Sequence, residues 1–335
     1  MAKLRTTING FGRIGRLLFR VNLLKDLVDI VAINDPNPPS SLAYLLKYDT
    51  THGKLDMDIT STDKSIIVNG VEIPCYAEKD PTKLPWAALQ VDMVFEATGV
   101  FTTKEGASGH ITAGAKRVMI TAPGKGVDGT FVYGIDHTTF DPAKHIVFSN
   151  ASCTTNCLAP LAKVLNDNFG IVKGLMTTVH AYTNDQRTLD LAHKDPRRGR
   201  AAAANIIPTS TGAALAIGEV LPELKGKLDG LSLRVPVIDA SIVDLVCEVS
   251  KPTTVEEINA AYKTASEGAF AGLIEYCTDP IVSSDIIHNQ ASCVFDVALT
   301  TVISGNMVKV MGWYDNEWGY SNRLLDLAGY IGTRV

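Results

Sequence analysis

The hexapeptide Gly10-Phe11-Gly12-Arg13-Ile14-Gly15 constrains this chain more than any other feature, because of what flanks it. The run Lys3–Asn9 precedes it, and Leu17, Leu18, Val21 and Leu24 follow at helical spacing. Strand, glycine turn and helix in that order form the opening of a doubly wound sheet. In such a turn the first glycine permits a tight bend, the second lets the backbone approach a pyrophosphate, and the third allows helix and strand to pack closely. The phosphates then lie at the helix N-terminus. A second apolar run, Val28–Ile33, ends in Asn34-Asp35, about twenty residues past the last glycine, where a carboxylate grips an adenosine ribose diol and repels a 2′-phosphate. This predicts NAD in preference to NADP. Without that context the same residues describe a glycine turn and a helix-capping Asp. Thr6-Thr7 makes the first strand more polar than a buried parallel strand usually is.

Strand-like and helix-like segments alternate through the first half. Leu42–Leu46 and Lys104–Gly114 read as helical, the latter as a crossover helix between the buried strands Asp92–Ala97 and Arg117–Thr121. Asn69-Gly70, set between Ser65–Val68 and Val71–Tyr76, predicts a hairpin that interrupts the parallel pattern. Beyond Cys153 the runs Ile171–His180, Leu231–Val237, Ile242–Val249, Val294–Val302 and Met307–Tyr314 are β-rich, with a helical pattern over Val255–Glu267. The expected fold is therefore an α/β Rossmann cofactor domain with a parallel doubly wound sheet over residues 1–152. An α+β catalytic domain with a mixed or antiparallel sheet is expected over 153–316. The closing segment 317–335 carries Leu324, Leu325, Leu327 and Ala328 on a helical pattern and is expected to pack back on the first domain.

At 335 residues, two domains are a reasonable prior, and 46% apolar with 20% charged residues is ordinary globular composition. A net charge of −5 gives no general attraction to nucleic acid or membrane; the one basic cluster, His193 to Arg200, is short, contains Asp195, and reads as a solvated or interface loop. The start MAKLRTTING has no hydrophobic signal region and no apolar run is long enough to span a bilayer, so a cytoplasmic protein is expected. The six cysteines are scattered without disulfide-framework or paired zinc-ligand spacing, and no structural metal is expected.

Ser152-Cys153-Thr154-Thr155-Asn156-Cys157 lies between the run His145–Ser149 and a helical pattern through Leu158, Leu161, Ala162 and Leu165. Cys153 is thereby placed in the first turn of a helix, where unpaired N–H groups and the macrodipole favour a thiolate. The plainer reading is a small buried hydrophobe. Cys157, one turn further on, reads as helix packing, with a second reading as an awkwardly placed resolving thiol should Cys153 oxidise. Arg234 sits in a run that otherwise looks buried, so it needs an anionic partner, either a ligand or an internal carboxylate.

Six motifs, NGFGRIGR, ASCTTNCLAP, TVHAYTNDQ, PTSTGAA, LRVPV and WYDNEWGYS, occur in the order and spacing of the phosphorylating glyceraldehyde-3-phosphate dehydrogenase family, which the chain resembles over nearly its whole length. The resemblance implies a homotetramer that oxidises glyceraldehyde 3-phosphate with NAD and inorganic phosphate. Cys153 would be the nucleophile and His180 the base. Thr183 and Arg234 would bind the substrate phosphate, and Ser152, Thr154, Thr211 and the Gly212 backbone the attacking phosphate. On the cofactor side it implies Gly10, Gly12, Arg13, Ile14 and Gly15 around the pyrophosphate, Asp35 on the ribose and Lys79 near the adenine. Thr98 and Thr121 would face the nicotinamide half, with Asn316 on the carboxamide and Tyr320 over the ring. Four departures from the family pattern stand out: Leu191-Ala192 in place of Leu-Pro, Lys79 in place of arginine, Ala97 in place of serine, and Val237-Ile238-Asp239-Ala240 in place of a Thr-Pro-Asn run. The first loosens the expected selectivity for NAD. Two other readings are erythrose-4-phosphate dehydrogenase, which hydrolyses its thioester, and a binding protein for nucleic acid or a surface receptor. The latter predicts a basic groove that the acidic balance opposes.

Overall fold

The computed structural model describes residues 3–335, apart from the side chain of Leu215. The chain forms two compact units. One comprises residues up to Tyr133, then His137–Ala151 and Ser321–Val335; the other comprises Gly134–Asp136 and Ser152–Tyr320.

The first unit is built on a sheet of strands β1 (Leu4–Asn9), β2 (Val28–Asn34), β3 (Ile59–Ser61), β4 (Ser65–Val68), β5 (Val71–Tyr76), β6 (Met93–Glu96), β7 (Arg117–Ile120) and β8 (Val147–Ser149). Their spatial order is β8-β7-β6-β1-β2-β5-β4-β3. Every pair from β8 to β5 is parallel, and β5-β4-β3 is antiparallel. The order reverses beside β1, which is where an open parallel sheet leaves a crevice at its carboxyl edge. Asn69 and Gly70 take φ of 49° and 80°, the backbone that a two-residue hairpin turn demands. The two threonines in β1 are accommodated by their neighbour. A register shift falls between them, and their hydroxyls donate to Asp29 O at 3.2 Å and Ala32 O at 2.9 Å. The expected crossover helix is two short pieces, α3 (Lys104–Ala107) and α4 (Gly109–Thr112), with helices α1 (Arg13–Lys25) and α2 (Pro39–Lys47) earlier in the chain. At the break Gly109 faces Pro81 so closely that a Cβ would lie 2.6 Å from its ring. Trp86, Val94, Ala107, Val118 and Val147 share the core on this side of the sheet.

The second unit has strands β9 (Ile171–Ala181), β10 (Ile207–Ser210), β11 (Leu228–Val235), β12 (Ser241–Val249), β13 (Ile274–Cys277), β14 (Cys293–Asp296), β15 (Thr301–Ile303) and β16 (Met307–Tyr314). They run β10-β11-β9-β12-β16-β14-β13, with β15 also on β16. The sheet is mixed, with β9–β11 and β13–β14 parallel and the rest antiparallel. The single run expected over Val294–Val302 is interrupted by a 3-10 turn at Val297–Leu299. Helices α5 (Cys153–Phe169), α6 (Ala213–Val220) and α7 (Val255–Glu267) cover one face. α5 approaches β16 at Gly312, where a Cβ would stand 2.5 Å from Cys293 Sγ and 3.4 Å from Cys157 Sγ. Tyr262 of α7 stacks on Phe295 at 3.9 Å and donates its hydroxyl to Leu161 O of α5, tying helix to helix and helix to sheet. The opposite face follows the period of two along each strand, leaving Leu175, Leu231 and Met307 68%, 44% and 49% exposed. The last helix, α8, spans Trp318–Gly332.

Candidate functional site

In the second unit the site begins at the start of α5. Ser152 is the N-cap, with extended backbone (φ −99°, ψ 163°) and an Oγ that accepts from Thr155 N at 3.0 Å. Ala151 before it is in the left-handed region at φ 57°, which turns the chain sharply into the helix. Cys153 is therefore the first helical residue, and its Sγ lies 3.4 Å from His180 Nε2. His180 is near the end of β9, whose parallel register with β11 sets it directly beside Arg234. Arg234 Nη1 donates to Ala181 O at 3.0 Å and lies 2.7 Å from His180 Nδ1, which is itself 2.7 Å from that same carbonyl. A carbonyl only accepts and a guanidinium only donates, so the two contacts of Nδ1 are alternatives. If Nδ1 donates to Ala181 O, Nε2 is left bare towards the thiol; if it accepts from Arg234, Nε2 carries the proton.

Burial pushes the Cys153 thiol up, opposite to the effect expected of a helix N-terminus, and the Arg234 charge and the Thr154 contacts pull it back. Burial and the same guanidinium hold His180 down to about 3. Burial thus disfavours the charged form of both the thiol and the imidazole. Arg234 Nε has no hydrogen-bond partner, and no carboxylate lies within ion-pair distance of Arg234 among the described residues. A largely buried cation without an internal carboxylate fits an anionic ligand, the first of the two partners its sequence context demanded.

Other sequence-predicted residues take varied positions. Thr154 is buried, and its hydroxyl pairs with Tyr314 Oη at 2.9 Å rather than facing an incoming anion. Thr178 Oγ1 meets the same phenol at 2.9 Å, so Tyr314 joins α5 to β9 beside the imidazole. Thr183 gives its N–H and hydroxyl to Gln186 Oε1, and Thr211 Oγ1 accepts from Ala213 N at 3.2 Å next to Gly212, the N-cap of α6. No hydrogen bond joins either threonine to the thiol, imidazole or guanidinium among the described residues. Arg198 connects their surroundings: it pairs with Asp185 and Asp195 and donates to Ser210 O at 3.2 Å, and its charge is felt at Arg234. Arg198 lies in the basic stretch whose sequence reads as a solvated or interface loop, and Tyr314 has no role in the sequence reading although it lies within the WYDNEWGYS motif. Cys157 is fully buried, donates to Gly312 O, and has its thiol raised well above the usual range by burial and Cys293, in keeping with helix packing. Asn316 Oδ1 accepts from Ser241 Oγ at 2.6 Å, which fixes the amide's orientation, and Tyr320 is buried in the first turn of α8.

In the first unit a cleft of about 450 Å³ opens at the carboxyl ends of β1, β2 and β6, lined among others by Gly10, Gly12, Asp35, Lys79, Ala97 and Thr98. Gly10 has φ 92°, and a Cβ there would lie 2.7 Å from Thr98 N. Gly15 is tighter, with a Cβ position 2.1 Å from Gly10 O. At Gly12 that position meets no protein atom, leaving room for a ligand against the backbone. Gly12 caps α1, so its helix presents the N–H groups of Arg13 and Ile14 at the turn. The Arg13 side chain pairs with Asp49 at 2.5 Å. Asp35 accepts from Phe11 N at 2.8 Å and from Asn37 N and Nδ2 at 3.0 and 2.8 Å, holding its carboxylate in the cleft wall. Thr121 donates its hydroxyl to Glu96 O at 3.1 Å. The glycine cradle and the anchored carboxylate fit a dinucleotide.

A dinucleotide cleft at the switch point of a parallel sheet, together with a helix-borne thiol against an imidazole, is the equipment of a nicotinamide-dependent dehydrogenase that works through a covalent thiol adduct. Two family profiles match the chain: "Glyceraldehyde 3-phosphate dehydrogenase, NAD binding domain" over residues 4–104 and "Glyceraldehyde 3-phosphate dehydrogenase, C-terminal domain" over residues 152–316. Glyceraldehyde-3-phosphate dehydrogenase 2 of Streptomyces avermitilis is 56% identical over 333 residues, covering 99% of both chains. The enzyme of that family from Geobacillus stearothermophilus is 55% identical over 327 residues, 98% of each. The chain belongs to the glyceraldehyde-3-phosphate dehydrogenase family.

Proposed function

We propose that the chain oxidises D-glyceraldehyde 3-phosphate with NAD and inorganic phosphate to 1,3-bisphosphoglycerate, in central carbon metabolism. The observation that carries the chemistry is the 3.4 Å approach of Cys153 Sγ to His180 Nε2, backed by Arg234. The sulfur attacks the aldehyde carbon, and the thiol proton, carried by the imidazole, ends on the new hydroxyl of a hemithioacetal, leaving His180 neutral. His180 then takes the hydroxyl proton as the C–H electron pair leaves as hydride, and a thioester on Cys153 results. When bound, NAD supplies the acceptor for that hydride. An oxygen of inorganic phosphate attacks the thioester carbon and the sulfur departs. A thioester suits this because it preserves the acyl-transfer potential that an oxygen ester would lose.

Arg234 is well suited to the substrate's phosphate, with Thr183 beside it. Its engagement by an anion would draw Nη1 from His180 Nδ1, allow Nδ1 to donate to Ala181 O, and leave Nε2 free as a base. The second anion is assigned to Thr211, the Gly212 backbone and the helix start at Ser152–Thr154, with Arg198 as an added cation. Asp35 would hold the ribose, the Gly12–Gly15 turn the pyrophosphate and Lys79 the adenine side. Thr98, Thr121 and the amide nitrogen of Asn316 would hold the nicotinamide half, with Tyr320 alongside. The exposed apolar face of the second sheet is suited to burial against a further copy, as a homotetramer requires. No helix among the described residues is long and apolar enough to cross a membrane, and the cytoplasm is the proposed compartment.

NADH formation from glyceraldehyde 3-phosphate and NAD, with and without inorganic phosphate, tests the reading on the wild type and on Cys153→Ser. Phosphate-dependent turnover that the substitution abolishes is expected. Sustained turnover without phosphate would instead support thioester hydrolysis, as in erythrose-4-phosphate dehydrogenase.

A further inference from the structure

We propose that Glu96 is the positioning residue of the dinucleotide cleft, and that His110 and Trp86 behind it lock its carboxylate in the one arrangement that shapes the cleft wall. The proposal rests on the NAD reading of that cleft.

Glu96 ends β6 and is 2% exposed, yet no lysine or arginine pairs with it among the described residues. Its side chain instead collects four donors. Oε2 accepts from Asn9 Nδ2 at 2.6 Å and His110 Nε2 at 3.0 Å, and Oε1 accepts from Thr98 N at 2.9 Å and from the Thr98 hydroxyl. The His110 tautomer follows from Trp86. The indole N–H can only donate and lies 2.9 Å from His110 Nδ1, so Nδ1 is bare and the ring proton sits on Nε2, aimed at Glu96. Trp86 and His110 are fully buried and stacked at 6.3 Å, so neither ring has solvent to turn to, and with its proton on Nε2 the imidazole offers Asn9 Nδ2, 3.3 Å away, no lone pair there. The hydrogen bonds therefore run one way, from indole to imidazole to carboxylate.

The same logic propagates outward to the ligand side. Because Asn9 spends its amide N–H on Glu96, its Oδ1 is the acceptor that faces Asn34 Nδ2 at 2.6 Å. Asn34 in turn is clamped to Glu78, donating to its carbonyl at 2.8 Å and accepting its N–H at 2.9 Å. Thr98 spends its hydroxyl proton on Glu96 and so offers a lone pair to Val100 N at 3.0 Å. Thr121 donates both N–H and hydroxyl to the Glu96 main-chain carbonyl. Asn9, Asn34, Glu78, Thr98 and Val100 all line the cleft. One buried residue thus sets the donor and acceptor pattern of the wall without itself facing the ligand. An apolar residue of the same shape would fill the space and orient none of these groups.

Glu96→Gln keeps size and shape but offers one acceptor oxygen and an amide N–H₂. In one orientation the N–H₂ meets the donors of Asn9 and His110, and in the other it meets Thr98 N, so no rotamer satisfies all four partners. On the full chain, the Kd of NAD measured by calorimetry and its KM are expected to rise by about tenfold or more, the scale of a hydrogen bond to a charged group. Meanwhile kcat and the KM of glyceraldehyde 3-phosphate should stay within about twofold, because binding and not the chemical step has been altered. His110→Gln, which keeps a donor towards Glu96, should leave the Kd close to wild type, and His110→Ala should raise it. An unchanged NAD Kd in Glu96→Gln, a loss of kcat with KM for NAD intact, or equal defects in the two His110 variants would overturn the proposal. If Glu96→Gln does not fold, the two His110 variants decide by the same comparison. Wild-type protein that fails to bind NAD would overturn the cofactor reading and this inference with it; wild-type binding with no effect of the variants overturns this inference alone.

Discussion

At the scale of single residues, the second unit concentrates its electrostatics on one guanidinium. Arg234 lowers both the Cys153 thiol and the His180 imidazole, while burial drives them apart, the thiol upward and the imidazole downward. Arg234→Met removes the shared charge, so both groups move up. Alkylation of Cys153 by iodoacetamide at neutral pH is expected to slow, with its pH dependence displaced to higher pH; an unchanged profile would show that the guanidinium does not act on the thiol. The sign for stability follows from the same shift. His180 is held near 3 in the folded chain against about 6.5 unfolded, so between those values the unfolded state binds the extra proton. Its contribution is whole above the unfolded value and is lost as pH falls towards 3. In Arg234→Met the folded value rises, that window narrows, and acid unfolding followed by circular dichroism should show a shallower dependence on pH over it.

At the scale of elements, the devices that position the sites are helix starts and strand registers. The α1 start depends on two glycines for different reasons: Gly10 needs a positive φ, whereas Gly15 needs the absence of a Cβ where helix meets turn. Gly15→Ala would force its methyl to 2.1 Å from Gly10 O, displacing the turn that faces the pyrophosphate. A destabilisation of about 1–3 kcal/mol, typical of overpacking, is expected in urea unfolding, together with weaker NAD binding. Full stability with full NAD affinity in this variant would show that the turn has slack. The α5 start was readable from the apolar spacing of Leu158, Leu161, Ala162 and Leu165, since a helical stripe is a local signal, while the Ser152 cap was seen only in the structure. The split between α3 and α4 was not readable, because it arises from Pro81 pressing on Gly109 across the fold.

At the scale of the whole molecule, the second unit covers one face of its mixed sheet with α5, α6 and α7, and leaves apolar side chains on the other. A face of this kind is costly to leave in water. If a second copy covers it, Leu175→Glu, at a position 68% exposed in the single chain, should lower the oligomeric state seen by sedimentation while the lone chain keeps its fold. Retention of the wild-type assembly would place the subunit contact elsewhere.

The sequence by itself determined what local signals can carry: the glycine turn and its downstream Asp35, the Asn69-Gly70 hairpin, the helical stripe of α5 with Cys153 in its first turn, and through six motifs the family. Thr6 and Thr7 looked anomalous in sequence because their acceptors, Asp29 O and Ala32 O, belong to another strand. What only the tertiary structure decided are the relations between distant segments. The parallel register of β9 on β11 sets His180 beside Arg234. Tyr314 takes the Thr154 hydroxyl from 160 residues away. Asp49 takes the Arg13 side chain, and Trp86 fixes the tautomer of His110 and through it Glu96. Each depends on which groups meet after folding, and burial then sets their protonation and hydrogen-bond direction, quantities that residue type and spacing alone do not contain.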